Sequence, residues 1–470
     1  MHSIEQPTLL TPAADTRPWW RQPTTYQWFV LAVAAMGWLF DCMDQRIFLV
    51  SREPAMTQLL GYERDGVGKL VAYQGQPIAE EERKANDGRI KWFGGLATAI
   101  FMCGWATGGL VFGIVGDRLG RARTMCITIL LYSAFTGLTA LSTTWWDFTI
   151  YRFITGLGVG GEFAAGVALI AEAMPPAARP FALGLLQALS AIGNITGSML
   201  SYGLKDWRML FVVGIVPALL VVLIMSRLRE PEAWLKARET GRLEDNLGRI
   251  SDLFHDRRWR RNTIIGVLLA VAGVIGLWGV GFWSFELIDE TLRLNHVPTE
   301  TVRHVKAVGT SLQDVGAALG IVVFTWLATR FGRRLAFGAG FASALAATLL
   351  AFGFMRKEAD VYWMLPLLGF CNLSVFGGYA IYFPELYPTR LRSTGTGFCY
   401  NAARYIAAAG PYVLGGLAIA FGSIHLDLLG SLGGIDSPFR YAALTVALIY
   451  VLGLVTLPFA PETRGQPLPE

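Results

Sequence analysis

The sequence predicts an all-α integral membrane protein of twelve transmembrane helices in two six-helix halves, and three observations carry that reading. Hydrophobic residues make up 53% of the 470 positions and charged residues only 16%, with a mean hydropathy of +0.43, which is more apolar surface than a soluble core can bury. Apolar runs of about 20 residues, the length that crosses a ~30 Å hydrocarbon layer, recur along the whole chain. Arginine-rich signatures after the second and fourth runs return once in the second part of the sequence, as an internal duplication would leave them.

Taken in order, the runs place spans near 26–50, 91–116, 124–143, 146–172, 180–204, 208–228, 262–287, 305–329, 335–355, 361–384, 393–421 and 439–460. An even number puts both ends on one side. Residues 1–25 hold Glu5, Asp15 and several prolines but no short apolar core with a cleavage site, so they read as an uncleaved tail. The first six spans make one bundle, 26–228, and the last six a second, 262–460, followed by a tail over 461–470. Between the bundles, 229–261 is polar and ends in the basic run Arg257, Arg258, Trp259, Arg260, Arg261. Arg118, Arg121 and Arg123, then Arg330, Arg333 and Arg334, then Arg390 and Arg392 lie on the face of that linker. By the positive-inside rule that face is cytoplasmic, with both termini, and the loop 51–90 is extracytoplasmic, a small cap over an entrance.

The duplication is specific. Asp117-Arg118-Leu119-Gly120-Arg121 recurs 212 positions later as Thr329-Arg330-Phe331-Gly332-Arg333, and Glu172 to Arg179 recurs 213 positions later as Glu385 to Arg392. Parallel six-span halves with a site at their interface near the bilayer midplane are the build of an alternating-access transporter.

Other classes find little support. The net charge of +5 sits in short clusters between apolar runs, which reports orientation and not nucleic-acid binding. The five cysteines, Cys42, Cys103, Cys126, Cys371 and Cys399, are irregularly spaced within or beside apolar runs, so they are packing residues and neither a disulfide framework nor a metal site. No phosphate-binding loop of the P-loop pattern and no His-Glu-x-x-His helix is present, so no cofactor is expected, the chain is not read as an enzyme, and the driving force is an ion gradient. No histidine falls inside a span, His304 lying at the edge of the eighth; carboxylates are the better proton carriers.

Span one reads Gly37-Trp38-Leu39-Phe40-Asp41-Cys42-Met43-Asp44-Gln45-Arg46. A charge at the bilayer centre costs about 2.5–3.5 kcal/mol on insertion scales, so such residues face a cavity and pair with something. Asp41 and Asp44 share a helix face. The alternative is that the span ends early and Asp44 and Arg46 are simply wet. Span four carries Arg152, Gly156, Gly160 and Glu162. It fails as a dinucleotide fingerprint because no strand precedes it; its small residues admit a close neighbour helix instead. Arg152, entering from outside, sits at a depth comparable with Asp44. Glu162 lies near mid-membrane and is either a second proton site or a partner for polar groups elsewhere. In the second half Gln313, Asp314, Asn372, Asn401 and Arg404 are the polar residues within spans. Arg404 wants an anion and can grip a carboxylate with two parallel hydrogen bonds; that anion is either the cargo or Asp314, and in the second case Arg404 is a strut. Trp278, Trp283, Tyr379, Tyr382 and Tyr400 are candidates to line a cavity.

The segment from Gly113 through Asp117, Arg118, Gly120 and Arg121 resembles the loop signature of the major facilitator superfamily, and the repeated Glu-x6-Arg pairs resemble the cytoplasmic network of its sugar porter and metabolite:proton symporter branches. The resemblance covers nearly the whole chain and implies the major facilitator fold. It also implies that Asp117, Arg118, Arg121, Glu172, Arg179, Arg330, Arg333, Glu385 and Arg392 form a cytoplasmic gate, which fits the ion pairs and helix-end charges these residues offer. Thr329 stands where the family has an acid, so the second latch is expected to be the weaker. The Asp-x-x-Asp of span one resembles that of organic-acid symporters, and in the resembling families the counterpart of Arg152 faces the first-helix aspartate, a proton switch through Asp41, Asp44, Arg152 and Glu162. The ending Pro461-Glu462-Thr463-Arg464-Gly465 is similar to that of sugar porters, while span seven lacks their paired glutamines.

The reading is therefore a plasma-membrane, monomeric symporter of protons and a small organic acid, embedded in the lipid bilayer, with Gln313, Asp314, Asn372, Asn401 and Arg404 as cargo contacts. The rivals are a sugar or polyol:proton symporter and a nutrient receptor that moves nothing.

Overall fold

The computed structural model describes residues 17–469 apart from 65–69, 73–75, 77, 205, 220–223, 225–226, 240–246, 280–282 and 425–426. The first half comprises helices α1 (Thr25–Leu59), α2 (Glu80–Leu119), α3 (Arg121–Thr139), α4 (Trp145–Ala173), α5 (Arg179–Ala188), α6 (Ser190–Gly203) and α7 (Trp207–Val213). The linker contributes α8 (Glu232–Glu239) and α9 (Asp252–His255). The second half comprises α10 (Arg257–Gly279), α11 (Ser284–Leu294), α12 (Thr299–Phe331), α13 (Arg333–Phe354), α14 (Glu358–Glu385), α15 (Arg392–Ala407), α16 (Gly410–Gly422), α17 (Pro438–Ala447) and α18 (Ile449–Thr456).

Local chemistry sets the helix starts. Thr24 accepts from the Gln27 backbone at 3.2 Å while the Gln27 side chain accepts from the Thr24 N–H at 2.8 Å, a capping box that opens α1. Thr144 and Asp147 repeat the device at α4. The eleventh predicted span breaks into α15 and α16, with a proline in the first turn of α16; proline has no N–H to continue a ladder and starts a helix better than it extends one.

Among the described residues nine helices are long and apolar enough to cross a membrane. They match predicted spans one, two, four, five, seven to ten and twelve. The third is α3, the eleventh is the broken α15–α16 pair, and the sixth begins as α7 and lies partly outside the described residues. Boundaries differ from the sequence reading in two places. Helix α1 runs on to Leu59 and α2 starts at Glu80, so the expected loop 51–90 shrinks to a short connection holding an antiparallel pair, β1 (Tyr62–Arg64) and β2 (Leu70–Ala72), with Tyr62 opposite Ala72. Arg257 opens α10, so the basic run is the first turn of a helix and not linker.

Backbone-to-backbone packing holds each half. A Cβ on Gly156 would stand 2.4 Å from the Phe101 carbonyl oxygen, and one on Gly160 2.0 Å from that of Trp105, so α4 lies on α2 as only small residues allow. The second half repeats this where a Cβ on Gly316 or Gly320 of α12 would stand 2.0 Å from the Pro366 or Phe370 carbonyl oxygen of α14. Between the halves α2 packs on α15, and α5 packs on α12 and α14. The N-terminal Trp19 stacks on Phe181 at the start of α5, and Pro469 accepts from Arg392, so both described ends lie on one face, here termed the terminal face.

Candidate functional site

Asp44 and Arg152 meet. Arg152 Nη1 lies 3.1 Å from Asp44 Oδ2, and the pair is buried. Thr136 donates to Asp44 Oδ1 at 2.8 Å, while Arg152 also reaches Thr136, Thr139 and Thr155 at 2.9–3.2 Å. The guanidinium lies over the Phe211 ring at 4.7 Å. Every polar partner of this buried pair is thus supplied by α1, α3 and α4, as an ion pair in hydrocarbon requires. The alternative of an early end to span one does not hold: α1 continues past Asp44 and Arg46, and neither is exposed.

Asp41 and Glu162 are brought together as well, across the contact of α1 with α4. Gly37 makes the room, since a Cβ there would stand 1.8 Å from Glu162 Oε1. Outside the pair, none of the four carboxyl oxygens receives a hydrogen bond among the described residues.

A cavity of about 780 Å³, including its solvent-open part, lies between the halves. Trp38, Trp105, Trp278, Phe376 and Tyr400 give it aromatic walls; Arg46, Gln187, Ser190, Asn194, Gln313, Asp314 and Arg404 give it polarity. Of the expected cargo residues, Gln313, Asp314 and Arg404 line it. Asn372 and Asn401 do not: Asn401 accepts from Arg404 Nη1 at 3.0 Å and so holds it from behind, and Asn372 is buried with neither side-chain atom partnered.

Asp314 is paired with Arg46, at 2.6 Å, and accepts from Asn194 at 3.2 Å. It is not the partner of Arg404. Among the described residues no carboxylate lies within ion-pair distance of Arg404; it rests against Trp105 and Tyr400, 4.1 and 4.3 Å from the ring centres, with Nε unbonded. Trp38 Nε1, Trp105 Nε1 and Ser190 Oγ in the same cavity are likewise without partners. Unpartnered polar atoms, three N–H donors, the Ser190 hydroxyl and the Gln187 Oε1 acceptor, therefore belong to residues around one buried space. Of the other aromatic candidates Trp278 and Tyr400 line the cavity, whereas Trp283 packs on Phe439, Tyr379 donates to the Leu269 carbonyl and Tyr382 to that of Pro461.

The terminal face closes over this cavity. Glu172 Oε1 accepts from Arg121 of its own half at 2.8 Å and from Arg392 of the other half at 2.9 Å. Asp117 accepts from the backbone N–H groups of Ser393 and Thr394 and from the Thr394 hydroxyl, at 3.2, 2.9 and 2.7 Å, an anion at the N-terminus of α15. In the second half Arg333 pairs with Glu385 at 2.6 Å, but both belong to that half, so this bond does not bridge. Thr329 only donates to its own helix, and where α15 offers Ser393 the corresponding start of α5 has Pro180, which has no N–H to give. Among the described residues Arg118 forms no ion pair; it donates to the Leu247 carbonyl of the linker. Arg330 is exposed, pointing away from the network, because its neighbour Phe331 ends the helix ahead of the Gly332 turn. Arg179 stands near Arg392, Glu385 and Glu172 with its Nε unbonded, a member by position only.

Sequence reasoning missed two carboxylates that brace the gate. Glu230 accepts from the backbone N–H groups of Arg121, Ala122 and Arg123 at 2.7–3.2 Å, and Glu462 from those of Arg333 and Arg334 at 2.9 and 3.1 Å. Each caps the helix after a duplicated glycine turn, and the signal available was a proline-flanked glutamate after the last span of each half. Partial burial works to raise the Glu462 carboxyl, but these N–H groups and that of Arg464 outweigh it and hold it below the usual range. Trp234 of α8 donates to the Asp117 carbonyl at 2.8 Å, tying the linker to the same place.

Two helical halves closed over a shared cavity on one face define a membrane transporter. The chain belongs to the Major Facilitator Superfamily, whose profile matches residues 91–411. It is 31% identical over 341 residues to a cis,cis-muconate transport protein of Acinetobacter baylyi, covering 71% of this chain and 80% of that one. It is 26% identical to a sialic acid transporter of Escherichia coli, covering 84% and 96%. Among solved structures, a proton:xylose symporter superposes with a TM-score of 0.69 at 17% identity over 94% of this chain and 98% of that one, a likeness of fold.

Proposed function

We propose that the chain is a symporter that carries a small organic acid together with a proton. The observation that carries this is Arg404: a buried guanidinium without a carboxylate partner among the described residues, lining a cavity with unpartnered polar groups and aromatic walls. A permanent cation in that setting is stabilised by an anion that arrives and leaves, and a cargo carboxylate is such an anion. The relatives named for muconate and sialic acid, both carboxylates, support the same class.

The proton is assigned to Asp44. While Asp44 is ionised, Arg152 clasps it; protonation removes that attraction and leaves the Arg152 charge to its threonine partners. Loss of one buried ion pair is large enough to change how α1 and α4 sit. The terminal face is assigned to the cytoplasm by its arginines, placing both ends inside the plasma membrane, with the network of Glu172, Arg121, Arg392 and Asp117 as the inner gate. One proton carried with one monoanion moves no net charge, so a pH gradient drives accumulation with about 1.4 kcal/mol per unit.

The test is uptake into proteoliposomes with an alkaline interior, using niacin, sialic acid and xylose. Acid accumulation that follows the pH gradient and is lost in Arg404→Ala is expected. Accumulation of xylose alone, or acid uptake that ignores pH and answers only to voltage, overturns the reading.

A further inference from the structure

The carboxyl pair of Asp41 and Glu162 has no place in the cycle just described. Neither residue lines the cargo cavity. Both are buried, 1% and 2% exposed, about 24 and 26 Å along their helices from the starts of α1 and α4 by helical rise, which is mid-membrane from either side. They adjoin one another within hydrogen-bond reach, and among the described residues they receive no hydrogen bond from outside the pair and form no ion pair with a cation: the neighbouring charged group is Asp44, itself held by Arg152. Tyr132 of α3 lies within electrostatic range of Asp41, Asp44 and Glu162, and Cys42 of α1 within range of Asp41 and Glu162.

Two bare carboxylates side by side in hydrocarbon combine the cost of burying each charge with their mutual repulsion. One shared proton removes both terms at once, since a carboxylic acid donates to the neighbouring carboxylate in a short, charge-assisted bond. We infer that Asp41 and Glu162 hold one proton between them and form the reservoir that loads Asp44, with the Tyr132 hydroxyl beside the route. Asp41 and Asp44 lie on one face of α1, so the transfer is local: the proton leaves the pair, Asp44 gains it and loses its hold on Arg152, and the pair refills from water when a face opens. The stoichiometry stays at one proton per cycle, because the reservoir passes on the proton that the cargo accompanies.

The inference rests on the proton-coupling reading, and two measurements separate their failures. Infrared spectra of purified protein at neutral pH are expected to contain a protonated-carboxyl absorption that is absent from the double variant Asp41→Asn, Glu162→Gln. Identical spectra in that region overturn the reservoir whatever transport does. In proteoliposomes, wild type accumulates niacin about tenfold per unit of pH gradient; Glu162→Gln is expected to lose that accumulation while still exchanging niacin for niacin across the membrane without a gradient. Full gradient-driven accumulation by Glu162→Gln overturns the relay. If wild type itself ignores the gradient, the coupling reading falls, and the infrared comparison still decides whether the pair holds a proton.

Discussion

Replacing Glu172 by Gln isolates a carboxylate on the terminal face that is held by an arginine from each half. Its Oε1 takes bonds from Arg121 at 2.8 Å and Arg392 at 2.9 Å, with all three side chains at most 1% exposed, so screening by water and salt is small. The Arg121 bond stays within one half and survives opening of the terminal face. Only the Arg392 bond exists in the closed state alone, and a hydrogen bond to a charged group contributes about 1.5–3 kcal/mol. The closed population relative to the open one therefore falls about 10- to 150-fold, at 1.4 kcal/mol per factor of ten. The readout is alkylation of a cysteine placed at Ala164, which is buried against Gly397 of the other half, in a chain whose five native cysteines are alanine. Labelling by a water-soluble maleimide should accelerate by that factor. Glu385→Gln breaks the Arg333 bond inside one half and should leave labelling unchanged while lowering the melting temperature. Equal effects of the two variants, or none from Glu172→Gln in a folded protein, would refute the argument.

Two further outcomes follow from the braces. Gly120 and Gly332 have φ of +106° and +101°, and a Cβ at either would stand 2.4 or 2.7 Å from the Glu230 or Glu462 carboxyl; alanine at each should cost about 1–3 kcal/mol, read as a fall in melting temperature that Gly415→Ala, with open space around it, does not show. The folded Glu462 carboxyl titrates below its unfolded value, so its contribution is complete above the unfolded value and drains as pH falls through the lowered one, on the acid side of the usual glutamate range. Faster hydrogen exchange at the Arg333 and Arg334 amides in that acid range, absent from Glu462→Gln where the bonds are already weakened, is the expected result, and no difference between the two proteins refutes it.

Much of the arrangement was legible because burial of charge in lipid is costly enough to announce itself. Asp44 and Arg152 were matched by depth, and the gate by its duplication, since both signals lie in the order of charged residues along apolar runs. The partner of Asp314 was not legible. Its distance from Arg46 depends on how one half sits on the other, which no local pattern records, and Arg46 also read as a residue near the end of its span. Gln187, Ser190 and Asn194 carry no charge and sit in helices of ordinary apolar composition, so nothing in the sequence separated them from packing residues. Asn401 was misplaced for a related reason: a polar residue within a span faces either cargo or another side chain, and three positions of spacing from Arg404 made the second choice available.

The mismatch at Thr329 and Pro180 has a consequence for how the halves evolve and are redesigned. On the Asp117 side an acid meets a helix end that can donate; on the other an alcohol meets an imino acid that cannot. Asp at position 329 alone would face a helix start with one backbone N–H, that of Phe181, where Asp117 meets two, and replacing Pro180 alone would supply the second amide with no acid to bind it. Full symmetry needs both changes, so the latch on the Asp117 side outweighs its counterpart through the chemistry of two side chains acting jointly.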